Sequence, residues 1–146
     1  MNQLNVTQAK LCACANLRMA SRVMTQFYDE ILQPSGLRAT QFTLLVALST
    51  TGPVTITDLA EALVMDRTTL TRNLKPLEKQ GLIESISGED RRTRLVMLTE
   101  PGRTILAEAM PLWEQAQAKI VNGLGTDVFN HLLRLLSESI AITQTT

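Results

Sequence analysis

The chain has 146 residues, with 14 basic and 14 acidic side chains and a formal net charge of zero. Hydrophobic residues make up 45% and charged residues 19%, proportions that are typical of a folded protein and exclude an intrinsically disordered one. No stretch approaches the roughly 18 consecutive apolar residues of a membrane-spanning helix, and the start lacks the pattern of a secretory signal peptide. We therefore expect one cytoplasmic domain over residues 1–146.

The basic residues are unevenly distributed. A neutral chain with a sequence pI of about 6.6 is unusual for a nucleic-acid-binding protein, which is often basic overall. Half of the 14 basic residues nevertheless lie between residues 67 and 94, where only four acidic residues occur. Because local charge, and not the total, faces a phosphate backbone, this segment remains a candidate for nucleic-acid binding.

The first quarter of the chain predicts one long helix over residues 6–33. The segment contains no proline or glycine, and Met24, Phe27 and Ile31 recur at helical spacing. Pro34 ends the pattern.

Three shorter helices are predicted next. The first covers residues 40–48 and begins at a threonine. Thr57 is predicted to cap the second, which ends at Leu63. Asp66 is predicted to cap the third, which stops at Gly81, because glycine is the residue that most often follows a helix.

The remaining segments predict a β-hairpin and two further helices. Short apolar runs at 82–86 and 94–98 flank the polar turn 87–93, which is a hairpin pattern. Helix resumes after Thr99, and a kink is expected at Pro111.

The C-terminal part is expected to break at Gly123 and Gly125, after which Thr126 caps a last helix. The predicted order is α-α-α-α-β-β-α-α. The expected fold is mainly α with a small β-hairpin, a winged helix-turn-helix flanked by N- and C-terminal helices.

The helix that begins at Asp66 has two distinct faces. Leu70, Leu74 and Leu77 share a narrow arc and are expected to pack inward. The opposite face and its edges combine small hydroxyls with long cations, a mixture suited to reading base edges and holding phosphates. The predicted DNA contacts on this helix are Arg67, Thr68, Thr69, Arg72, Lys75 and Lys79.

The hairpin tip completes a DNA-binding unit. Arg91, Arg92 and Arg94 lie beside one another at the turn, where they can reach phosphates or a narrow minor groove. Asp90 is expected to belong to the same surface by pairing with a neighbouring guanidinium and setting its direction. The preceding short helix supplies the positioning half of a helix-turn-helix.

These motifs resemble the MarR family of bacterial transcription regulators. Residues 66–83 resemble its recognition helix, residues 37–45 resemble its second helix, and Asp90 and Arg92 fit its D-x-R wing pattern, followed by the L-T pattern at 98–99. The resemblance implies a DNA-binding regulator that acts as a repressor, and not an enzyme. It also implies a homodimer on a pseudo-palindromic operator, released by a small anionic or phenolic effector or by an oxidant.

The same resemblance divides the chain into a winged helix-turn-helix part at 37–99 and dimerisation helices at 6–33 and 100–143. Dimerisation is also expected from the sequence itself, because the terminal helices carry more apolar surface than so small a domain can hide.

Two cysteines, Cys12 and Cys14, leave two interpretations open. In one helix they are rotated about 200° from each other, which predicts neither a shared metal nor a disulfide. They are then small buried side chains at the dimer interface. Alternatively Cys14 is a redox site, since this helix resembles that of peroxide-sensing members, although those surround the thiolate with several tyrosines and this chain has only Tyr28.

No catalytic constellation, metal site or cofactor motif is found in the sequence, and His131 is expected at a helix surface or interface. Arg18, Tyr28, Phe42 and Trp113 are the candidates for an effector pocket, with core packing as the alternative for Trp113. A winged helix that binds only other proteins is a further alternative function.

Overall fold

Seven α-helices and a three-stranded antiparallel sheet form residues 6–144, the part of the chain that the computed structural model describes. The single-domain prediction also includes residues 1–5 and 145–146, which lie outside the described residues. In chain order the elements are α1 (Val6–Ala9), α2 (Ala13–Leu32), α3 (Ala39–Thr51), β1 (Val54–Thr55), α4 (Ile56–Leu63), α5 (Arg67–Lys79), β2 (Ile83–Ser87), β3 (Arg94–Leu98), α6 (Glu100–Leu124) and α7 (Thr126–Gln144).

The sheet contains the predicted hairpin and one strand that the sequence pattern missed. β3 is the central strand, with β2 on one side and β1 on the other. Val96 pairs with Ser85 of β2 and with Val54 of β1. β1 has only two residues, too few to show an alternating pattern. It ties the segment before α4 to the hairpin.

The core is aliphatic and lies beneath the helix-turn-helix. Leucines of α3, α4, α5 and β3 are fully buried, as is Leu32 at the end of α2. α7, in contrast, buries none of its described residues, and α2 buries only Leu32. The terminal helices therefore stand largely outside the core of the single chain.

The prediction of one helix over residues 6–33 was wrong. The chain leaves helical conformation between Ala9 and Ala13, and Cys12 has an extended backbone with φ −63° and ψ 119°. The side-chain amide of Asn16 donates to the carbonyl oxygens of Lys10 at 3.0 Å and Cys12 at 2.8 Å. An asparagine that binds nearby carbonyls in this way favours a turn over a continued helix.

Two predicted helix starts were also wrong by one or two residues. The second predicted helix begins at Ala39, whose N–H donates to Asp29 Oδ1 at 2.7 Å. The following helix is capped by Thr55 and not by Thr57, since the Thr55 hydroxyl accepts from the N–H of Asp58 at 3.1 Å. Thr55 and Thr57 are both threonines, a residue type that suits a cap, so the sequence alone did not show which of them caps α4.

The C-terminal half keeps its helices longer than predicted. α6 continues across both Pro111 and Gly123 and ends at Leu124. Gly125, with φ 88°, then breaks the helix, and its carbonyl oxygen accepts the first hydrogen bond of α7 from Phe129. The predicted cap Thr126 is therefore the first helical residue instead. The predicted cap Asp66 is confirmed, and so is the predicted restart of helix after Thr99, whose hydroxyl caps α6.

Candidate nucleic-acid interface

The recognition helix α5 is fixed at its start by Asp66. One carboxylate oxygen accepts from the N–H of Thr69 at 2.8 Å, and the other accepts from the Thr69 hydroxyl at 2.6 Å. These two hydrogen bonds hold the pKa of Asp66 below its usual value, and the positive charge of Arg72 adds to the effect. Because its hydroxyl proton is committed to the cap, Thr69 has only acceptor capacity left for a base edge.

A tight turn joins α4 to α5 and sets their relative direction. Val64 lies in the left-handed region with φ 55°, which is unusual for a β-branched residue. The N–H of Met65 donates to the carbonyl oxygen of Ala60 at 2.9 Å and closes the end of α4. α4 therefore positions α5 as the first helix of a helix-turn-helix does.

The inner face of α5 is as predicted. Leu70, Leu74 and Leu77 are buried in the core. Pro76 lies in the last turn, and the helix continues past it to Lys79, where the chain turns through Gly81 with φ 74°. The buried leucines hold the opposite face toward solvent.

The outer face of α5 forms a shallow basic groove of about 630 Å³. Four of the predicted contacts lie on it or at its edge in exposed positions, and no acidic residue borders it. Lys79 is exposed but lies outside the groove, and Thr69 is half-buried at the cap. The groove is lined by Arg67, Thr68, Thr71, Arg72 and Lys75.

Thr71 is the groove residue that the sequence prediction missed. It follows Thr68 by three residues, so helical spacing alone places it on the same face. Helical spacing in the sequence therefore already indicated that Thr71 belongs to the outer face of α5.

The wing tip is held by Asp90. Its carboxylate accepts from the N–H of Arg92 at 3.1 Å, and its carbonyl oxygen accepts from the N–H of Thr93 at 2.9 Å. The expectation that Asp90 pairs with a guanidinium was wrong, because the only ion pair among residues 6–144 joins Arg103 and Glu100. The aspartate shapes the turn in the manner of an Asx turn.

The wing arginines extend from this turn into solvent. Arg91, Arg92 and Arg94 are all exposed, and Arg94 is paired with Ser87 at the outer end of the hairpin. Their charges are left for an outside partner, since no carboxylate of the described chain forms an ion pair with them.

The structure brings together three of the four predicted effector-pocket residues. Tyr28, Phe42 and Trp113 line a cavity of about 230 Å³ between α2, α3 and α6, and none of its lining residues is charged. The rings of Phe42 and Trp113 stack with centroids 6.0 Å apart. The Tyr28 hydroxyl donates to Gln117 Oε1 at 2.5 Å, and burial raises the pKa of Tyr28. Arg18 is exposed and does not border the cavity.

The cysteines are placed differently from the prediction. Cys12 precedes α2 and Cys14 lies in its first turn, so the argument from their rotation within one helix does not apply. Both thiols are free, and both are exposed in the single chain. Tyr28 follows Cys14 by 14 residues, roughly 21 Å along the helix axis, so the two do not meet within one chain.

Other chemistry is sparse in the described part of the chain. His131 lies exposed on α7, and its Nδ1 is 2.6 Å from Nη2 of Arg134. Residues 6–144 contain no group of three His, Cys, Asp or Glu side chains that could hold a metal ion. Over the same residues no helix has the length and apolar character to cross a membrane. The helix-turn-helix, the β-hairpin and their shared basic surface define a winged helix-turn-helix protein.

Comparison with known proteins agrees with this class. The sequence model of the MarR family matches residues 37–93. The uncharacterised HTH-type transcriptional regulator YwoH of Bacillus subtilis (strain 168) is 30% identical over 122 residues, which cover 82% of this chain and 89% of YwoH. The organic hydroperoxide resistance transcriptional regulator of the same organism is 35% identical over 100 residues, 68% of either chain.

A solved structure gives the same assignment. The transcriptional regulator MosR of M. tuberculosis, in complex with DNA, has a TM-score of 0.79 and 38% identity, covering 90% of this chain and 98% of MosR. The chain belongs to the MarR family of DNA-binding transcription regulators. This is a family of regulators and not of enzymes, in agreement with the expectation from the sequence.

Proposed function

We propose that the chain binds a pseudo-palindromic operator as a homodimer and represses transcription by occupying it. The observation that supports this proposal most directly is the outer face of α5, where Thr68, Arg72 and Lys75 are exposed opposite three buried leucines. An arginine there can bond two acceptors of a guanine, while the hydroxyls allow the backbone to approach the base edges. As a regulator of bacterial type, the protein would act in the cytoplasm, where the chromosome lies.

The recognition helix and the wing have separate tasks in this proposal. Thr68 and Arg72 read bases in the major groove, and Lys75 and Lys79 hold phosphates. The wing arginines reach the adjacent backbone or minor groove, where a narrow groove favours arginine. Since the chain is neutral overall, non-specific affinity is modest, and two copies are needed for tight binding.

Exposed apolar side chains support the homodimer. Among residues 6–144, eleven of the 13 large exposed hydrophobic residues lie in the terminal segments, within 6–23 and 124–142. Val23 is 68% exposed in the single chain, although it lies in the middle of a well-formed helix. Exposed apolar side chains concentrated in this way are characteristic of an interface, and a two-fold dimer would bury them on both copies.

Oligomeric state tests this part of the proposal directly. The full chain should run as a dimer in size-exclusion chromatography with light scattering, and Val23→Asp should shift it toward monomer. Val64→Asp is the matched control, because Val64 is 53% exposed but lies outside the terminal helices. A monomeric wild type would overturn the dimer.

The aromatic cavity supports release by a small ligand. Its lining offers flat apolar surfaces and the hydroxyls of Tyr28, Thr25 and Thr43, and it has no cation. This favours a phenolic ligand over an anionic one, because an anion buried without a partner costs several kcal/mol. The cavity lies between α2, α3 and α6, so a ligand there bears on both the terminal helices and the DNA-binding part.

Exposure of Cys14 favours a second candidate, a thiol-based peroxide sensor. The thiol is reachable by an oxidant, and one relative of the chain is an organic hydroperoxide resistance regulator. Oxidation by a hydroperoxide would give a sulfenic acid at Cys14 and an alcohol, and the modified helix would alter the dimer. Wild type should then lose DNA affinity on treatment with cumene hydroperoxide, and Cys14→Ser should retain it. Equal retention by both proteins would leave the thiols without a sensing role.

DNA binding itself is tested by selection from the source genome. Fragments captured by the purified full chain should share a pseudo-palindrome with half-sites about one helical turn apart. If no fragment is enriched, the chain does not read DNA, and the alternative of a protein-interaction module takes its place.

A further inference from the structure

A second basic hollow adjoins the recognition helix on the side of α3. It has a volume of about 290 Å³ and lies between the start of α3 and the middle of α5. Arg38 and Thr40 border it from α3, and Arg72 and Asn73 border it from α5. Two arginines from different helices thus face one hollow, and the prediction from sequence had assigned no role to Arg38.

The charge around this hollow is unbalanced. Arg38 and Arg72 are both exposed, and no acidic side chain borders the hollow. Neither arginine forms an ion pair within the described residues, where Arg103 and Glu100 make the only one. Two guanidinium groups without a carboxylate between them repel each other, so the hollow favours an anion.

The acidic residues near Arg38 lie on its other side. Asp29 and Glu30 border a different hollow, which also includes Arg38. Asp29 already accepts the N–H of Ala39 at 2.7 Å and so serves the start of α3. Arg38 thus lines both hollows and forms an ion pair with neither of these two carboxylates.

The hollow adjoins the groove on the outer face of α5, because Arg72 lines both. When a helix lies in the major groove, the phosphates of the two strands run along either side of it. Thr40 contributes a hydroxyl and Asn73 a side-chain amide, both hydrogen-bond donors suited to phosphate oxygens.

We infer that this hollow holds a backbone phosphate of duplex DNA, bound by Arg38 from α3 while Arg72 reaches toward the bases. The inference rests on the proposed function. The contact is independent of sequence, so Arg38 sets the register of the recognition helix on the duplex and does not read a base.

The test compares Arg38→Ala with Lys119→Ala in the full chain. Lys119 is an exposed cation on α6 that borders neither the groove nor the hollow, so its loss changes the net charge equally. The probe is a fluorescein-labelled duplex of random sequence, titrated by anisotropy between about 50 and about 200 mM salt. Arg38→Ala should make the fall of log affinity with log salt less steep by about 0.9 for each bound chain. Between the two salt concentrations the loss of affinity should therefore be roughly 3.5-fold smaller than for wild type.

A charge reversal provides the second variant. Arg38→Glu should weaken binding more than Arg38→Ala, whereas Lys119→Ala should retain the wild-type slope. Circular dichroism melts of each variant identify any loss that comes from unfolding, which is not expected at an exposed side chain.

The outcomes separate the two proposals. If wild type binds no duplex, the proposed function fails. If wild type binds and both Arg38 variants keep its affinity and slope, the phosphate site is wrong while the proposed function stands. A lower slope for Lys119→Ala as well would also overturn the site, since the effect would then follow net charge.

Discussion

The hydroxyl of Thr99 donates a hydrogen bond of 2.6 Å to the carbonyl oxygen of Gly81. The same oxygen of Thr99 accepts from the N–H of Gly102 at 3.1 Å, and the backbone N–H of Thr99 donates to Leu82 at 3.1 Å. One side chain therefore joins the end of the recognition helix to the start of α6. Because α6 also carries Trp113, this junction connects the DNA-binding surface to the aromatic cavity.

Replacing Thr99 by valine keeps its shape but removes the hydroxyl. We expect the free energy of unfolding to fall by about 1–2 kcal/mol, because the cap of α6 and the partner of Gly81 are both lost. Urea denaturation measures this. Thr104→Val is the control, since the Thr104 hydroxyl donates only to the exposed carbonyl oxygen of Glu100, and it should cost less than about 0.5 kcal/mol. Equal losses of unfolding free energy in the two variants would show that the Thr99 hydroxyl stabilises the chain no more than an ordinary exposed hydroxyl does.

Gly102 and Gly123 should respond oppositely to alanine. A Cβ at Gly102 would lie 2.0 Å from the carbonyl oxygen of Leu82, so α6 must shift away from the recognition helix, at a cost of roughly 1–3 kcal/mol. A Cβ at Gly123 meets nothing within 4 Å, and alanine there should stabilise the helix by about 0.5–1 kcal/mol. Thermal melts of both variants give the two signs. A stabilising Gly102→Ala would contradict the close approach.

Alanine at Arg72 and alanine at Arg92 should impair DNA binding in different ways. Arg72→Ala should lower discrimination between operator and mismatched duplex by about 1–3 kcal/mol, because a bidentate contact to guanine is lost. Arg92→Ala should weaken binding to most sequences alike and reduce the salt slope by about 1. Gel-shift titrations of both variants on operator and mismatched duplexes, each at low and at high salt, separate the two patterns, and unchanged affinity in both variants would reject the mechanism.

Trp113 is the single tryptophan of the chain, so its fluorescence reports on the aromatic cavity. Titration with a small phenol should quench this emission and reduce DNA affinity in parallel. Tyr28→Phe removes the hydroxyl that binds Gln117. The affinity for the phenol should then fall by roughly tenfold or less, since a neutral hydrogen bond contributes about 0.5–1.5 kcal/mol. Quenching without any change in DNA affinity would separate the cavity from regulation.

The cap of the recognition helix should give stability a pH dependence. Because the pKa of Asp66 is lowered from 3.8 in the folded chain, its contribution is present above that value and is lost as pH falls through the folded pKa. Asp66→Asn keeps a capping oxygen but has no charge. The advantage of wild type over Asp66→Asn should therefore be present at pH 7 and shrink as the pH falls below 3.8. If the stability advantage of wild type over Asp66→Asn grew as the pH falls, the direction assigned to the pKa shift of Asp66 would be wrong.

Local signals in the sequence were sufficient for much of the fold. The cap Asp66, the restart of helix after Thr99 and the hairpin around residues 87–93 follow from residue types and periodicity within a few positions. The two faces of α5 follow from helical spacing in the same way, as the burial of Leu70 confirms. These features depend on neighbours in the chain, which a sequence displays directly.

Features that depend on distant contacts were missed. β1, for example, exists because Val54 meets Val96 across the sheet. Arg18 was grouped with Tyr28 by resemblance, yet ten residues of helix separate them by roughly 15 Å. Spacing along a helix gives the face of a residue, but the packing of other helices decides which part of that face becomes a cavity.

The sequence by itself determined the recognition helix and its basic outer face, because amphipathic spacing and charge are written residue by residue. Only the tertiary structure decided that Thr99 connects the end of α5 to the start of α6. It also placed Arg38 beside Arg72. The reason is physical: a hydrogen bond or a shared hollow between segments far apart in the chain requires both segments to be folded in place.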